Sequence, residues 1–222
     1  MVGHEATEWK EQIMKTMHKA IAALAATAAA LTLAVAPASA AGRGGWGGPW
    51  AGSNGAGMGR MGGWGGAGNG TMTCLDGVAS GTLTATEKAS LAAMAGEEKL
   101  AQDVYAALAK RFPTLPQFAR ISAAETQHLT AVRALLARYG IADPTAGLAA
   151  GVFANADRQT QYTSLLASAT DTASALKVGV TIEKLDIADL ANLLKTVTAP
   201  DAKQVLTMLD RASDQHLAAF GG

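Results

Sequence analysis

The chain has one cysteine, Cys74, in 222 residues. One thiol closes no intramolecular disulfide and builds no thiolate cluster, so packing, with or without a hard-metal site, must hold the fold. Cys74 precedes the first expected helix and is given no catalytic role. Aromatic residues are scarce at 5%, and there are only six prolines. An excess of charge is missing too. Lys and Arg number 18, as do Asp and Glu; three of each lie before Ala41, leaving 15 of each beyond it. Such balance provides neither the basic footprint of a nucleic-acid binder nor attraction to an anionic membrane surface, so neither is expected as a partner. Histidine is rare as well: His4 and His18 lie near the start, and only His128 and His216 remain in the rest of the chain.

What is present begins with an export signal. In "MKTMHKAIAALAATAAALTLAVAPASA", Lys15 and Lys19 precede an Ala/Leu-rich run that ends in Ala38-Ser39-Ala40. That order of positive, apolar and small residues describes a secretory signal peptide cleaved between Ala40 and Ala41. The apolar run from Ala20 to Val35 is short for a membrane span, so no span is expected after cleavage. A signal needs none of the charges before Met14, which makes Met14 or Met17 an alternative start. The expected location is periplasmic or secreted, with residues 1–40 as extension and signal.

Residues 41–81 are read as a flexible leader. The stretch from 41 to 70 is half glycine, has no acid and carries Trp46, Trp50 and Trp64. It buries too little apolar surface to offset the entropy of ordering so many glycines. Two readings stand: a plain linker, or an adhesive segment whose Trp and Arg side chains stack on a glycan or a partner.

The folded domain is expected from Thr82 to Gly222. Thr86 is the expected N-cap of a first helix that ends near Arg111, before Pro113. Pro116 opens a second helix, which runs to Tyr139 and stops at Gly140. Residues 141–170 contain one short helix at Asp157–Ala167. A third long helix spans Thr172–Val197, and Pro200 separates it from a fourth over Asp201–Phe220. Two helix hairpins joined by a long crossover between helices 2 and 3 give the fold class as all-α, a ferritin-like four-helix bundle.

Each long helix carries a polar residue on its apolar stripe. Glu98 shares a face with Met94, Ala101, Tyr105 and Leu108, while Glu97 is rotated about 100° toward the edge. Glu125 and His128 lie among Phe118, Ile121, Val132 and Leu135. Glu183 and Asp186 lie one turn apart between Gly179 and Leu190, and Ser213 and His216 follow Val205 and Leu209. Each has another reading by itself. Glu-x-x-His also suits a surface pair, His216 could meet the dipole of its helix end, Glu98 could pair with a base, and Asp186 could sit at a wet edge. Together they point to a cation, because buried carboxylates in one core repel one another and protonate unless something holds their charge.

The segments "GEEKLAQDVYAAL", "SAAETQHLTAVRALLARYG", "GVTIEKLDIADL" and "RASDQHLAAF" resemble a bacterial ferritin-like domain family of unknown function, in the ferritin and rubrerythrin superfamily. The resemblance spans about residues 82–220. It implies a carboxylate-bridged site for two iron ions, with Glu on helices one and three and Glu-x-x-His on helices two and four. Carried over by position, the metal ligands are Glu98, Glu125, His128, Glu183 and His216. Tyr105 is similar to a tyrosine of rubrerythrin-like first helices and is placed behind the ligands. Ser213 departs from the pattern, standing where a second bridging Glu belongs. Asp186 is expected to compensate, which returns the carboxylate count to four and leaves open an asymmetric pair of ions or one occupied position. Oxygen and imidazole donors suit iron or manganese, with zinc admissible, and the lack of thiolates argues against soft metals.

The resemblance implies ferroxidase, oxidase or peroxidase chemistry without naming a catalytic residue. An exported iron enzyme needs an external electron donor, and this chain holds no rubredoxin-like cysteine set. Three functions therefore remain open: an oxygen- or peroxide-using enzyme, a non-catalytic metal-binding or sensing bundle, and a metal-free structural domain that displays the leader. Partners are metal ions and an electron donor. Self-association depends on outer surfaces that the pattern leaves unassigned.

Overall fold

The computed structural model describes residue 75 and residues 77–222. The expected export signal, the Gly/Trp stretch over 41–70 and Cys74 lie outside the described residues. Those described form five helices and no strand: α1 Ala85–Arg111, α2 Pro116–Arg138, α3 Ala156–Ser168, α4 Thr172–Thr196 and α5 Pro200–Phe220. None is long and apolar enough to cross a membrane.

Local chemistry accounts for the boundaries. The cap of α1 is Thr84, not the expected Thr86: its hydroxyl accepts from Glu87 N, and Glu87 Oε2 accepts from Thr84 N at 2.7 Å. This reciprocal box needs the acid three positions after the cap, a spacing that Thr84 has and Thr86 lacks. Pro116 and Pro200 occupy the first turns of α2 and α5, where a missing N–H costs nothing. Helix α2 ends one residue early, at Arg138. Gly140 turns left-handed at φ 62° while Ile141 N bonds Leu136 O and Gly140 N bonds Ala137 O, so two carbonyls of the last turn are satisfied. Asn155 and Asp171 cap α3 and α4 through Arg158 N and Ser174 N.

The packed domain starts before Thr82. Leu75 is buried in the core, and Arg138 donates to Leu75 O at 3.2 Å and to Val78 O at 2.6 Å. Gly81 N donates to Tyr139 Oη, which donates in turn to the buried Asp201. Gly81 passes so close to α5 that a Cβ on it would lie 2.6 Å from Ala199 Cα. One leucine in a Gly/Ser-rich stretch has no periodicity, so the pattern of the sequence does not reveal this docking.

The core consists of two apolar clusters. One gathers Leu91 and Met94 of α1, Leu129 and Val132 of α2, Leu190 of α4 and Leu209 of α5. The other gathers Val104 and Tyr105, Phe118 and Ile121, Val178 and Ile182, and Phe220 from the same four helices. Chain order through the clusters sets direction: α1 and α5 run one way, α2 and α4 the other. The packed pairs are α1 with α2, α2 with α5, α5 with α4 and α4 with α1, so neighbours in the ring are antiparallel and diagonals parallel. Because α2 and α4 run in the same direction, the chain must return along the whole length between them, and α3 lies on this crossover against α1 and α4.

The crossover is tied down by two polar anchors. Arg133 holds Asp143 at 2.9 Å and Thr145 Oγ1 at 2.8 Å. The buried Lys99 pairs with Asp103, donates to Ala149 O at 2.9 Å and lies 4.8 Å from the Phe153 ring centre, while Asp103 accepts from Gly151 N. A buried ammonium is tolerated here because a charge partner, a carbonyl and an aromatic face replace its water.

Phe220 closes the second cluster, with ring centres 5.1 Å from both Tyr105 and Phe118. It presses on α4 where Gly179 offers no side chain, and a Cβ at 179 would lie 2.5 Å from Phe220 Cγ. Gly179→Ala should therefore destabilise the protein by about 1–3 kcal/mol through overpacking, a fall in melting temperature of about 3–10 °C. Adding Phe220→Leu should recover part of that loss. Equal melts of Gly179→Ala and wild type would show that the ring gives way freely.

Candidate metal centre

Between the two apolar clusters the four long helices place a layer of polar side chains. Glu98 comes from α1, Glu125 and His128 from α2, Glu183 and Asp186 from α4, and Ser213 and His216 from α5. Each follows or precedes the apolar residues of its stripe by one turn, so the amphipathic pattern that builds the core also turns these groups inward. Glu98, Glu125, His128, Glu183 and Ser213 are fully buried, as is the Oδ1 atom of Asp186.

Glu125 is the centre of the layer. His128 Nδ1 lies 2.7 Å from its Oε2 and His216 Nδ1 lies 2.9 Å from its Oε1. The outer acids approach the same ring nitrogens, Glu98 Oε2 at 3.5 Å from His128 Nδ1 and Glu183 Oε2 at 3.7 Å from His216 Nδ1. The rings stack with centres 5.4 Å apart. Two hydroxyls hold the acids of α4: Tyr105 Oη donates to Glu183 Oε1 at 2.6 Å, and Ser213 Oγ donates to Asp186 Oδ2 at 2.6 Å. A carboxylate of α4 thus stands beside Ser213, the position on α5 that lacks one. The bases that could have neutralised Glu98 are engaged elsewhere, Arg133 with Asp143 and Arg138 with Asp201.

The layer is not self-sufficient. Among the described residues, four buried side-chain atoms lack a hydrogen-bond partner, and three of them are here: Glu98 Oε1, Asp186 Oδ1 and His216 Nδ1. The 2.9 Å approach of His216 to Glu125 is therefore a close charge contact whose direction does not suit an N–H bond. Leaving such atoms unpaired costs about 1–3 kcal/mol each, so their concentration in one place needs a reason. Potential ligand atoms of Glu125, His128 and His216 all lie within 4.8 Å of one another. Donors on opposite sides of one ion, each bonded at ~2.1 Å, would stand ~4.2 Å apart, so small side-chain shifts suffice to close on a cation.

Electrostatics points the same way. Burial drives Glu98 well above the usual carboxylate range, and the charge of Asp186 adds to it. Burial also raises Asp186 strongly, against the pull of the Ser213 bond, and raises Glu183. For Glu125 burial is outweighed by its imidazole contacts, which bring it down to about 2. Burial opposes the charged form of both histidines, yet the facing carboxylates bring His128 up to about 11 and His216 to about 9. In the absence of a cation the layer is thus one carboxylate clamped between two imidazolium groups, with its remaining acids resisting ionisation.

A narrow, open cleft reaches Glu98, Glu125, Glu183 and Asp186 between α1 and α4. Its rim includes Glu97 and, from α3, Arg158 and Gln161. The sequence pattern gives no sign of the α3 residues, because their place depends on how the crossover packs.

The family described as an uncharacterized protein domain, DUF2202, matches residues 87–221, which contain every residue of the layer. An uncharacterized protein of Methanocaldococcus jannaschii, MJ0754, is 40% identical over 128 residues, or 57% of this chain and 69% of that protein. The crystal structure of MJ0754 superposes with a TM-score of 0.61 at 38% identity, covering 63% of this chain and 80% of the other.

The bond from Tyr105 is the contact of the layer most open to a clean test. Tyr105→Phe keeps the ring between Phe118 and Phe220 and removes only the donor to Glu183, so stability should fall by about 1–3 kcal/mol in a denaturant melt. An unchanged midpoint would show that Glu183 finds another donor.

Proposed function

The chain belongs to the DUF2202 family, and from that premise we propose that it is an exported, ferritin-like four-helix metal-binding protein whose buried layer holds iron, two ions in the full form. Manganese or zinc are the alternative occupants. The observation that carries this reading is the cluster of three orphaned ligand-type atoms, Glu98 Oε1, Asp186 Oδ1 and His216 Nδ1, around Glu125. A bound cation gives each of them a partner and removes the repulsion among the acids. The proposed ligands are Glu98, Glu125, His128, Glu183, Asp186 and His216.

Bound iron would supply electron exchange with ferrous ion, dioxygen or peroxide, which is the chemistry that a ferritin-like site suggests. The contribution of the protein is positional. Glu125, with one oxygen toward each imidazole, would hold metal together with His128 and His216. Tyr105 and Ser213 each occupy one oxygen of an α4 acid and leave the other for a ligand role. The apolar clusters on either side shield the layer except where the cleft between α1 and α4 reaches it. An electron donor must come from outside the chain, and the expected location is periplasmic or secreted.

A second reading, non-catalytic metal binding or sensing, is favoured by Ser213. A neutral hydroxyl where a bridging carboxylate would stand weakens the case for two equivalent ions. A third reading, a metal-free scaffold, is favoured by the Glu125–His128 pair, which satisfies its own charge at 2.7 Å.

Elemental analysis of the purified full chain, then anaerobic ferrous addition and exposure to air or peroxide, separates the three. Two irons with an oxidation-linked absorbance change support the enzyme, tight metal without turnover supports the binding module, and no metal supports the scaffold.

Thermal melts test His128 directly. At a metal concentration about 100 times Kd, binding should stabilise wild type by about 2.7 kcal/mol, and chelator should remove that gain. His128→Ala loses a neutral nitrogen donor, so its melt should respond little to either addition, and affinity in wild type should rise with pH as protons compete less for the imidazoles. A wild-type melt that is the same with chelator, ferrous ion or manganous ion would end the metal reading and leave the fold.

A further inference from the structure

The cleft beside the layer has a charge pattern of its own. Its charged lining comprises Glu97, Glu98, Glu125, Glu183 and Asp186 against one cation, Arg158. Arg158 lies at the rim, donating to Glu97 Oε1 at 3.0 Å and to Gln161 Oε1 at 3.0 Å, with its side chain 15% exposed and that of Glu97 10%. Glu98 and Asp186, each with one buried oxygen that lacks a partner, line the same cleft, and the charge of Glu97 is felt at Asp186. A row of acids thus leads from the surface to buried atoms that lack partners.

We propose that this cleft is the route by which a divalent cation reaches the layer, and that Glu97, once Arg158 releases it, is the first ligand on the way in. The inference rests on the metal reading of the layer. Acids in a low-dielectric cleft concentrate cations and raise their rate of arrival, and a guanidinium at the rim opposes that focusing. Helix α3 need not move as a whole. Leu165, Tyr162 and Leu166 hold its far side against the second cluster, so the motion required is that of the Arg158 side chain alone, which is held by Glu97 and Gln161 and is partly exposed. Glu97 is not part of the central cluster, because it is paired across to α3 rather than to an imidazole.

The test uses the purified full chain, stripped by chelator, with Co²⁺ as probe. Uptake is followed by stopped-flow absorbance and the amount held at saturation by equilibrium dialysis. Arg158→Gln frees the Glu97 carboxylate and removes the rim cation, so uptake should accelerate on the order of tenfold. Glu97→Gln leaves an unpaired Arg158 over the mouth and should slow uptake by a similar factor, and the double variant should return toward wild type. All four proteins should hold the same amount at saturation. A merely structural ion pair would impair both single variants alike. Rates within about twofold of wild type in both single variants would overturn the route while leaving the metal reading intact. So would a lower saturation level in Glu97→Gln, which would make Glu97 a resident ligand. Absence of Co²⁺ uptake by wild type and variants alike would overturn the route and the metal reading together.

Discussion

A carboxylate clamped between two imidazoles at the centre of the core is the constraint to which the rest of the structure answers. Glu125 sits where an unpaired charge would be costly, and it stays ionised because His128 and His216 face its two oxygens. That arrangement divides the hydrophobic interior. Apolar side chains fill the space on either side of the layer in two separate clusters. The polar layer also fixes register: a shift of α5 by one turn against α2 would take His216 out of reach of Glu125. Removing one partner of such a buried pair would leave the other charge uncompensated, which is why the register is held.

Topology decides which side of the layer is reachable. Since α2 and α4 run in the same direction, the segment between them must traverse the long axis, and anchors from Lys99 and Arg133 draw it across the outside of the helices. The traverse leaves α3 over α1 and α4, beside the cleft that reaches Glu98 and Asp186. On the proposed reading the same crossover that makes the parallel diagonals also supplies the rim of the site. The chemistry of the interior and the path to it are thus consequences of one connection.

Much of this was legible in the sequence, for physical reasons that can be named. Helix positions follow from prolines that cannot sit inside a helix and from Gly140, whose left-handed turn ends α2. The inward direction of Glu98, Glu125, His128, Glu183 and His216 follows from helical period alone, since each lies on a stripe of leucines and valines. What the pattern did not reveal depends on contacts between distant segments. The choice of Thr84 over Thr86 turns on a reciprocal bond, the docking of Leu75 on carbonyls that Arg138 reaches across 63 residues, and the place of Arg158 on a crossover with little period of its own. The identity of a bound ion is less legible still, because carboxylates and imidazoles serve iron, manganese and zinc alike.

The asymmetry of the layer carries the argument one step further. Helix α5 contributes an imidazole and a hydroxyl, whereas α4 contributes two carboxylates, and each of these is held by a hydroxyl from a facing helix. Tyr105 takes Glu183 Oε1, so that Oε2 faces His216, and Ser213 takes Asp186 Oδ2, so that Oδ1 has no partner. A neutral hydroxyl can orient a carboxylate without cancelling its charge, which an arginine or lysine in the same place could not do. Ser213 is then more than a missing acid. It aims the acid that α4 supplies, and on the proposed metal reading the free oxygen of that acid faces a cation from α4, next to the cleft.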